Sequence, residues 1–177
     1  MTSITGHPLR VLLLRHAHAA WALPGMRDFD RPLDQRGREE VESLAATMSV
    51  NALQPGLVYC SSAKRCVETL DLLIARLGIS PTVEHTGALY CETHEAYLDL
   101  IESDRARENG SIMIVGHNPM IEDTALSLLL RDREGTEDAL ESGIPTAGLF
   151  IADCSTDPDA STSGQTRFMG LLSPLDA

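Results

Sequence analysis

Four side chains with the right chemistry for one reaction sit in three short, similar settings. "VLLLRHAHAA" (11–20) runs four apolar residues straight into Arg15 and His16, and "SIMIVGHNP" (111–119) runs an apolar stretch into Gly116, His117 and Asn118. Arg65 follows "LVYCSSAK" in a third such setting. Arginine forks match phosphate oxygens in pairs and stay charged at any working pH. An imidazole that lacks a proton on one nitrogen can attack phosphorus while its other N–H is held by a carbonyl. Cationic neighbours favour that neutral form. Two guanidiniums and two imidazoles at one point would therefore make a phosphoryl-transfer pocket.

Three other readings of residues 11–20 compete. The apolar core of a signal peptide needs about 7–15 residues, and Arg15 cuts this run short after Leu14. His16-Ala17-His18 has the H-x-H spacing of some zinc hydrolases. That site needs further ligands, and Arg15 and Arg65 would repel the cation, so no metal and no cofactor is expected. The third reading, the close of a buried strand, is compatible with the pocket and positions it.

The elements around these residues alternate. Strands are expected at Leu9–Leu14, 56–60, 82–85, 111–116, 148–153 and 166–172. Val41, Leu44, Ala45 and Met48 fall at helical spacing behind Asp34, a plausible N-cap. Leu70, Leu73, Ile74 and Leu77 mark a second helix, capped by Ser61 or Ser62 and stopped by Gly78. Residues 93–108 read as one charged amphipathic helix, and Met120 to Leu129 as another. Residues 21–34 read as an irregular loop, and the Ser/Thr-rich stretch 154–165 as a mobile one. The pattern gives an α/β fold with a mostly parallel sheet between two helical layers, where ligands bind beyond the carboxyl ends of the strands. The 177 residues are expected to form one domain, 1–177.

Composition narrows the function. A net charge of −12 repels nucleic acid and anionic lipid, so neither is an expected partner, and an anionic substrate needs a local cationic pocket. No run reaches the roughly 18 apolar residues of a membrane span. The four cysteines form no C-x-x-C pair and read as free thiols in a reducing compartment, so a cytoplasmic location is expected.

Five segments in order carry a family resemblance: "LLLRHAHA", "DFDRPLDQRG", "SSAKRCVET", "VGHNP" and "PTAGLFI". Together they resemble the histidine phosphatase superfamily, which includes the phosphoglycerate mutases, and within it the short bacterial phosphohistidine phosphatases of the SixA type. The resemblance implies a three-layer α/β/α sandwich and a metal-independent phosphatase. It implies His16 as the nucleophile that becomes phosphorylated, Arg15 and Arg65 as the grip on phosphoryl oxygens, and His117 as the group that stabilises their developing charge. It also implies a carboxylate acid from "LYCETHEAYL", for which Glu92 is preferred over Glu95 or the loop aspartates Asp28 and Asp30. His18, Arg31 and Asn118 are expected to touch substrate. Where many members have glycine, Ala17 stands; its methyl bears on the pocket, and small residues are tolerated there in the short branch. The substrate is expected to be phosphohistidine or another phosphorylated protein side chain. A small phosphate ester, or a phospho-ligand bound without turnover, is the alternative. A monomer is expected, with a dimer as the alternative.

Overall fold

The computed structural model describes residues 8–130, 140–155 and 166–174. Its strands are β1 (Leu9–Arg15), β2 (Leu57–Ser61), β3 (Thr82–Thr86), β4 (Ser111–Gly116), β5 (Leu149–Cys154) and β6 (Thr166–Leu172). They form one sheet in the order β3-β2-β4-β1-β5-β6. β1, β2, β3 and β4 run parallel, and β5 and β6 complete the edge in antiparallel pairing. The helices are α1 (Gln35–Val50), α2 (Lys64–Leu77), α3 (Ala88–Cys91), α4 (His94–Glu102), α5 (Asp104–Asn109) and α6 (Met120–Leu129).

The unbroken "VLLL" follows from burial on both faces of the sheet. Leu12 and Leu14 pack with Val41, Leu44 and Met48 of α1 and with Leu70 and Leu73 of α2. Val11 and Leu13 pack on the other side with Tyr97 of α4 and with Ile121 and Leu128 of α6. These leucines are fully buried, each contributing about 1.5–3 kcal/mol by leaving water. The three-layer α/β/α architecture is the one expected.

Local details depart from expectation in two places. The 93–108 segment is two helices, because Ser103 takes an extended conformation and its hydroxyl accepts from Ala106 N–H to start α5. α2 begins behind Ala63, whose methyl cannot cap it; the Ser61 hydroxyl accepts from Ala63 N–H at 3.3 Å and also meets His117. Asp34 caps α1 through Gly37 N–H and Gly78 closes α2 in the left-handed conformation, as read from the sequence. Of the 154–165 connection, residues 156–165 lie outside the described part.

Gly37 ties α1 to the strand it serves. A Cβ there would stand 2.1 Å from the His18 carbonyl oxygen. Alanine gains about 0.5–1 kcal/mol of helix propensity over glycine, but overpacking against backbone costs about 1–3 kcal/mol. Gly37→Ala should therefore lower the melting temperature by several degrees, at roughly 2–4 °C per kcal/mol for this size. A melt identical to wild type would mean that α1 is free to move off His18.

Candidate active site

Register brings the chemistry together. Arg15 pairs with Gly116 across β1 and β4, and Cys60 pairs with Val115 across β2 and β4. Arg15-His16, Ser61 and Gly116-His117 therefore leave the same edge of the sheet, side by side. His16 N–H donates to the Gly116 carbonyl at 3.0 Å, which fixes the two loops to each other. Gly116 has no room for a side chain, since a Cβ would lie 2.3 Å from the Tyr97 hydroxyl. That hydroxyl donates to Leu89 O at 2.7 Å and accepts from His117 N–H at 3.4 Å.

His16 is set up as a nucleophile. Its Nδ1 lies 2.8 Å from the Ala17 carbonyl, an acceptor, so Nδ1 carries the proton and Nε2 is left with its lone pair. Arg65 Nε donates to that Nε2 at 3.2 Å. Burial pushes the His16 imidazole down to about 4, and the charges of Arg65, Arg15 and Arg31 push the same way against the Ala17 hydrogen bond. The ring is therefore neutral at working pH.

His117 lies edge-on to His16 with ring centres 5.2 Å apart. Burial lowers it to about 3, helped by His16 and Arg65 and opposed by Asp28. Its Nε2 meets the Ser61 hydroxyl at 2.8 Å, and Arg65 Nη2 meets its Nδ1 at 3.3 Å. Arginine can only donate, so Nδ1 accepts from Arg65, and Nε2 carries the proton and donates it to the Ser61 hydroxyl.

The α2 motif is spent on positioning. Arg65 projects into the cluster. Glu68 Oε2 accepts from Leu33 N–H at 2.7 Å and holds the 21–34 loop. Thr69 Oγ1 accepts from Ala17 N–H at 3.1 Å and holds the end of β1. Ala17 itself is fully buried in the core beside α1 and α2, so its methyl does not crowd the pocket.

Arg15 Nη1 donates to Ile144 O at 2.7 Å, and its buried Nε meets no acceptor among the described residues. That leaves a spare donor beside His16. Asn118 Nδ2 shares Ile144 O at 3.2 Å and also donates to Glu122. Arg31 reaches Asp28 Oδ1 at 2.9 Å and Ala20 O at 2.8 Å. His18 turns to the start of α1, with Nδ1 2.7 Å from Asp34 Oδ2. The two imidazoles of the H-x-H spacing thus face different partners. Arg15, His16, Arg65 and His117 come together as expected; Asn118 and His18 stand behind them as supports.

Glu92 is not brought to the cluster. The "ALYC" segment folds as α3, and Glu92 at its C-terminal end lines a separate hollow of about 330 Å³ with Tyr59, Glu84, His85 and Asp99. Glu95 is exposed and bonded to Thr93. Asp30 is paired with Arg27. The carboxylate that does reach the cluster is Asp28, which accepts from Arg65, Arg31 and Tyr90. Those bonds, Arg31's first, hold it down at about 2 against some desolvation.

Sequence reasoning missed Tyr90 and the role of Ser61. Tyr90 stands edge-on to both His117 and Phe29, at 5.5 and 5.0 Å, with the Arg65 guanidinium over its ring at 5.9 Å. Its one signal was a polar-tipped ring inside an otherwise apolar run. Ser61 was the last residue of a strand level with Gly116, a position that pointed to the pocket as well as to the helix start.

Comparison with known proteins gives the family and the fold. The family profile described as histidine phosphatase superfamily (branch 1) matches residues 11–89. An uncharacterised chloroplast protein of Arabidopsis thaliana is 31% identical over 67% of the chain, a match spanning 58% of that protein's own length. An uncharacterised protein of Mycobacterium tuberculosis is 30% identical over 78% of the chain and 85% of its own length. A crystal structure from Agrobacterium tumefaciens, assigned as the phosphohistidine phosphatase SixA, superposes with a TM-score of 0.81 at 35% identity, covering 94% of this chain and 99% of that one. A protein histidine phosphatase SixA complexed with tungstate has a TM-score of 0.76 at 19% identity over 94% of this chain and 98% of its own, a likeness of fold.

Proposed function

Because the chain belongs to the histidine phosphatase superfamily, in its SixA-type branch, we propose that it hydrolyses phosphorylated protein side chains, phosphohistidine first, through a phosphorylated His16. One observation carries the reading. The Nδ1 proton of His16 is committed to Ala17 O, which leaves the lone pair on Nε2 and aims it at the point where Arg65 and His117 also converge.

In the first step Nε2 attacks phosphorus, the N–P bond forms and the leaving atom departs with its electron pair. In the second, water attacks the same phosphorus and the N–P pair returns to His16. Arg15 and Arg65 grip the equatorial oxygens, and His117 stabilises the charge that grows on them. Phosphohistidine suits such a site because a protonated imidazole departs easily. Protein substrates are supported by Trp21 and Leu23, which are 87% and 66% exposed on the loop that carries Asp28 and Arg31. Large apolar side chains beside a site are what a protein partner covers. The described part has no helix long and apolar enough to cross a membrane. Cys60, Cys66 and Cys91 are free thiols, which suits a reducing, cytoplasmic setting.

A turnover panel tests the substrate: phosphohistidine protein, a phosphoserine peptide and small sugar phosphates. The highest kcat/KM should fall on phosphohistidine protein. Preference for a sugar phosphate would favour the small-ester alternative, and binding without turnover of any member would favour a regulator. Activity should also survive prolonged EDTA treatment, since two arginines supply the positive charge a metal would bring. Loss with EDTA and rescue by zinc or manganese would return His18 to the site.

A further inference from the structure

Arg65 should anchor the phosphoryl group, yet both of its terminal nitrogens are occupied by one residue, through its main-chain carbonyl and its carboxylate. Nη1 donates to Asp28 O at 2.7 Å and Nη2 to Asp28 Oδ2 at 2.9 Å. Its Nε covers the His16 lone pair. The resting site is thus closed on itself, with the nucleophile capped and the cap held by a carboxylate. A phosphoryl oxyanion needs the same guanidinium fork, and two anions do not share it. The Asp28 side chain is 52% exposed, so the loop can release it toward solvent.

We propose that the arriving phosphoryl group takes Arg65 from Asp28, and that Asp28 then takes up a proton and delivers it to the leaving atom. The proposal rests on the phospho-His16 reading. It gives that reading the acid that Glu92, in its separate hollow, does not supply.

The charges around Asp28 explain the uptake. Arg31 from its own loop, Arg65 from α2 and the Tyr90 hydroxyl from α3 hold it ionised at rest. His117 at the end of β4 also faces it, and is neutral. Arg27 is spent on Asp30. Exchange removes Arg65 and places an anion opposite the carboxylate, and both changes favour the neutral acid, with Arg31 left to oppose them. The balance closes. Solvent protonates Asp28 on binding. As the N–P bond to His16 forms, the bond from phosphorus to the leaving atom breaks, and that atom takes Asp28's proton. Asp28, again a carboxylate, takes a proton from the water that attacks phospho-His16. When phosphate leaves, Asp28 returns to Arg65 and the proton goes back to solvent.

Molybdate, a tetrahedral dianion near neutral pH, probes the exchange without turnover. Titration calorimetry near pH 6 in two buffers of different ionisation enthalpy counts the protons. Wild type should take up about one per molybdate bound, and Asp28→Asn none. Asp28→Asn should also bind molybdate about tenfold more tightly, because the competing carboxylate is gone. Asp30→Asn should keep the wild-type uptake. With turnover, Asp28→Asn should lose about 100-fold or more in kcat on alkyl phosphates and under about tenfold on activated aryl phosphates. Unchanged proton uptake in Asp28→Asn, weaker molybdate binding by it, or equal kinetic losses on both leaving groups would overturn the proposal. Failure of wild type to bind molybdate, or to label at His16, would overturn the phosphoryl-site reading instead.

Discussion

Alanine at position 16 leaves a folded protein that neither turns over phosphate nor carries a covalent label. Among the described residues the His16 ring hydrogen-bonds to Ala17 O within its own turn and accepts one bond from Arg65 of α2, while the packing of β1 on α2 rests on the buried leucines. Folding therefore loses little. Chemistry loses everything that depends on Nε2, a cost on the order of 10⁴ or more in kcat for removal of a nucleophile. Wild type, incubated with a reactive phosphoryl donor and quenched without acid, should carry phosphate on His16 that is base-stable and acid-labile, as a phosphoramidate is. His16→Ala should carry none. The acid limb of wild-type kcat/KM on an activated aryl phosphate, whose leaving group needs no acid, adds a signature once corrected for ionisation of the substrate. Protonation removes the attacking lone pair, so the rate should fall as pH drops through about 4, where burial and the arginines place this imidazole. An ordinary histidine would lose it near 6.5. Wild-type turnover in His16→Ala would sink the mechanism, and a limb near 6.5 would mean that the site is open to water when it works.

The parts legible in the sequence are those whose cause is local. β1 and β4 were visible because a strand buried on both faces must be apolar throughout, and their chemistry-bearing ends follow at once in the chain. Asp34 and Gly78 were visible because caps use a few residue types for stated reasons. That Arg65 meets His16 was legible only through the order of the motifs and the resemblance they carry, since 49 residues separate the two. What stayed hidden depends on direction. Glu92 and Tyr90 stand two residues apart beside α3, yet Tyr90 faces His117 and Glu92 lines another hollow, because the packing of α3 against the sheet turns one inward and the other away. Ser103 broke a continuous helical pattern because its hydroxyl offers the chain a new start, which periodicity does not weigh. Ser61 had two local uses, at the helix start or in the pocket, and it serves both, accepting from Ala63 N–H while the position of β4 brings His117 to the same hydroxyl.

Lysine at position 65 separates the shape of arginine from its charge. Arg65 uses all three of its nitrogens at once: Nε on His16, Nη1 on Asp28 O, and Nη2 shared between Asp28 Oδ2 and His117. An ammonium is a single point and cannot span those partners, although it keeps the positive charge. Only 6% of Arg65 is exposed, so lysine would also have to hold its charge in a largely dry site without the fork that satisfies it there. The helix itself should survive, since Thr69 bonds the backbone carbonyl at 65 and not the side chain. Transition-state binding should then fall by about 1–3 kcal/mol, the scale of hydrogen bonds to charged groups, or roughly 5- to 150-fold in kcat/KM. The loss should appear on every leaving group alike, because the transferred phosphoryl oxygens are common to all of them. A loss confined to poor leaving groups would place Arg65 with the acid instead of the phosphoryl group. Near wild-type kcat/KM across the panel, with an unchanged melt, would reduce Arg65 to a steering charge and remove the bidentate grip from the site.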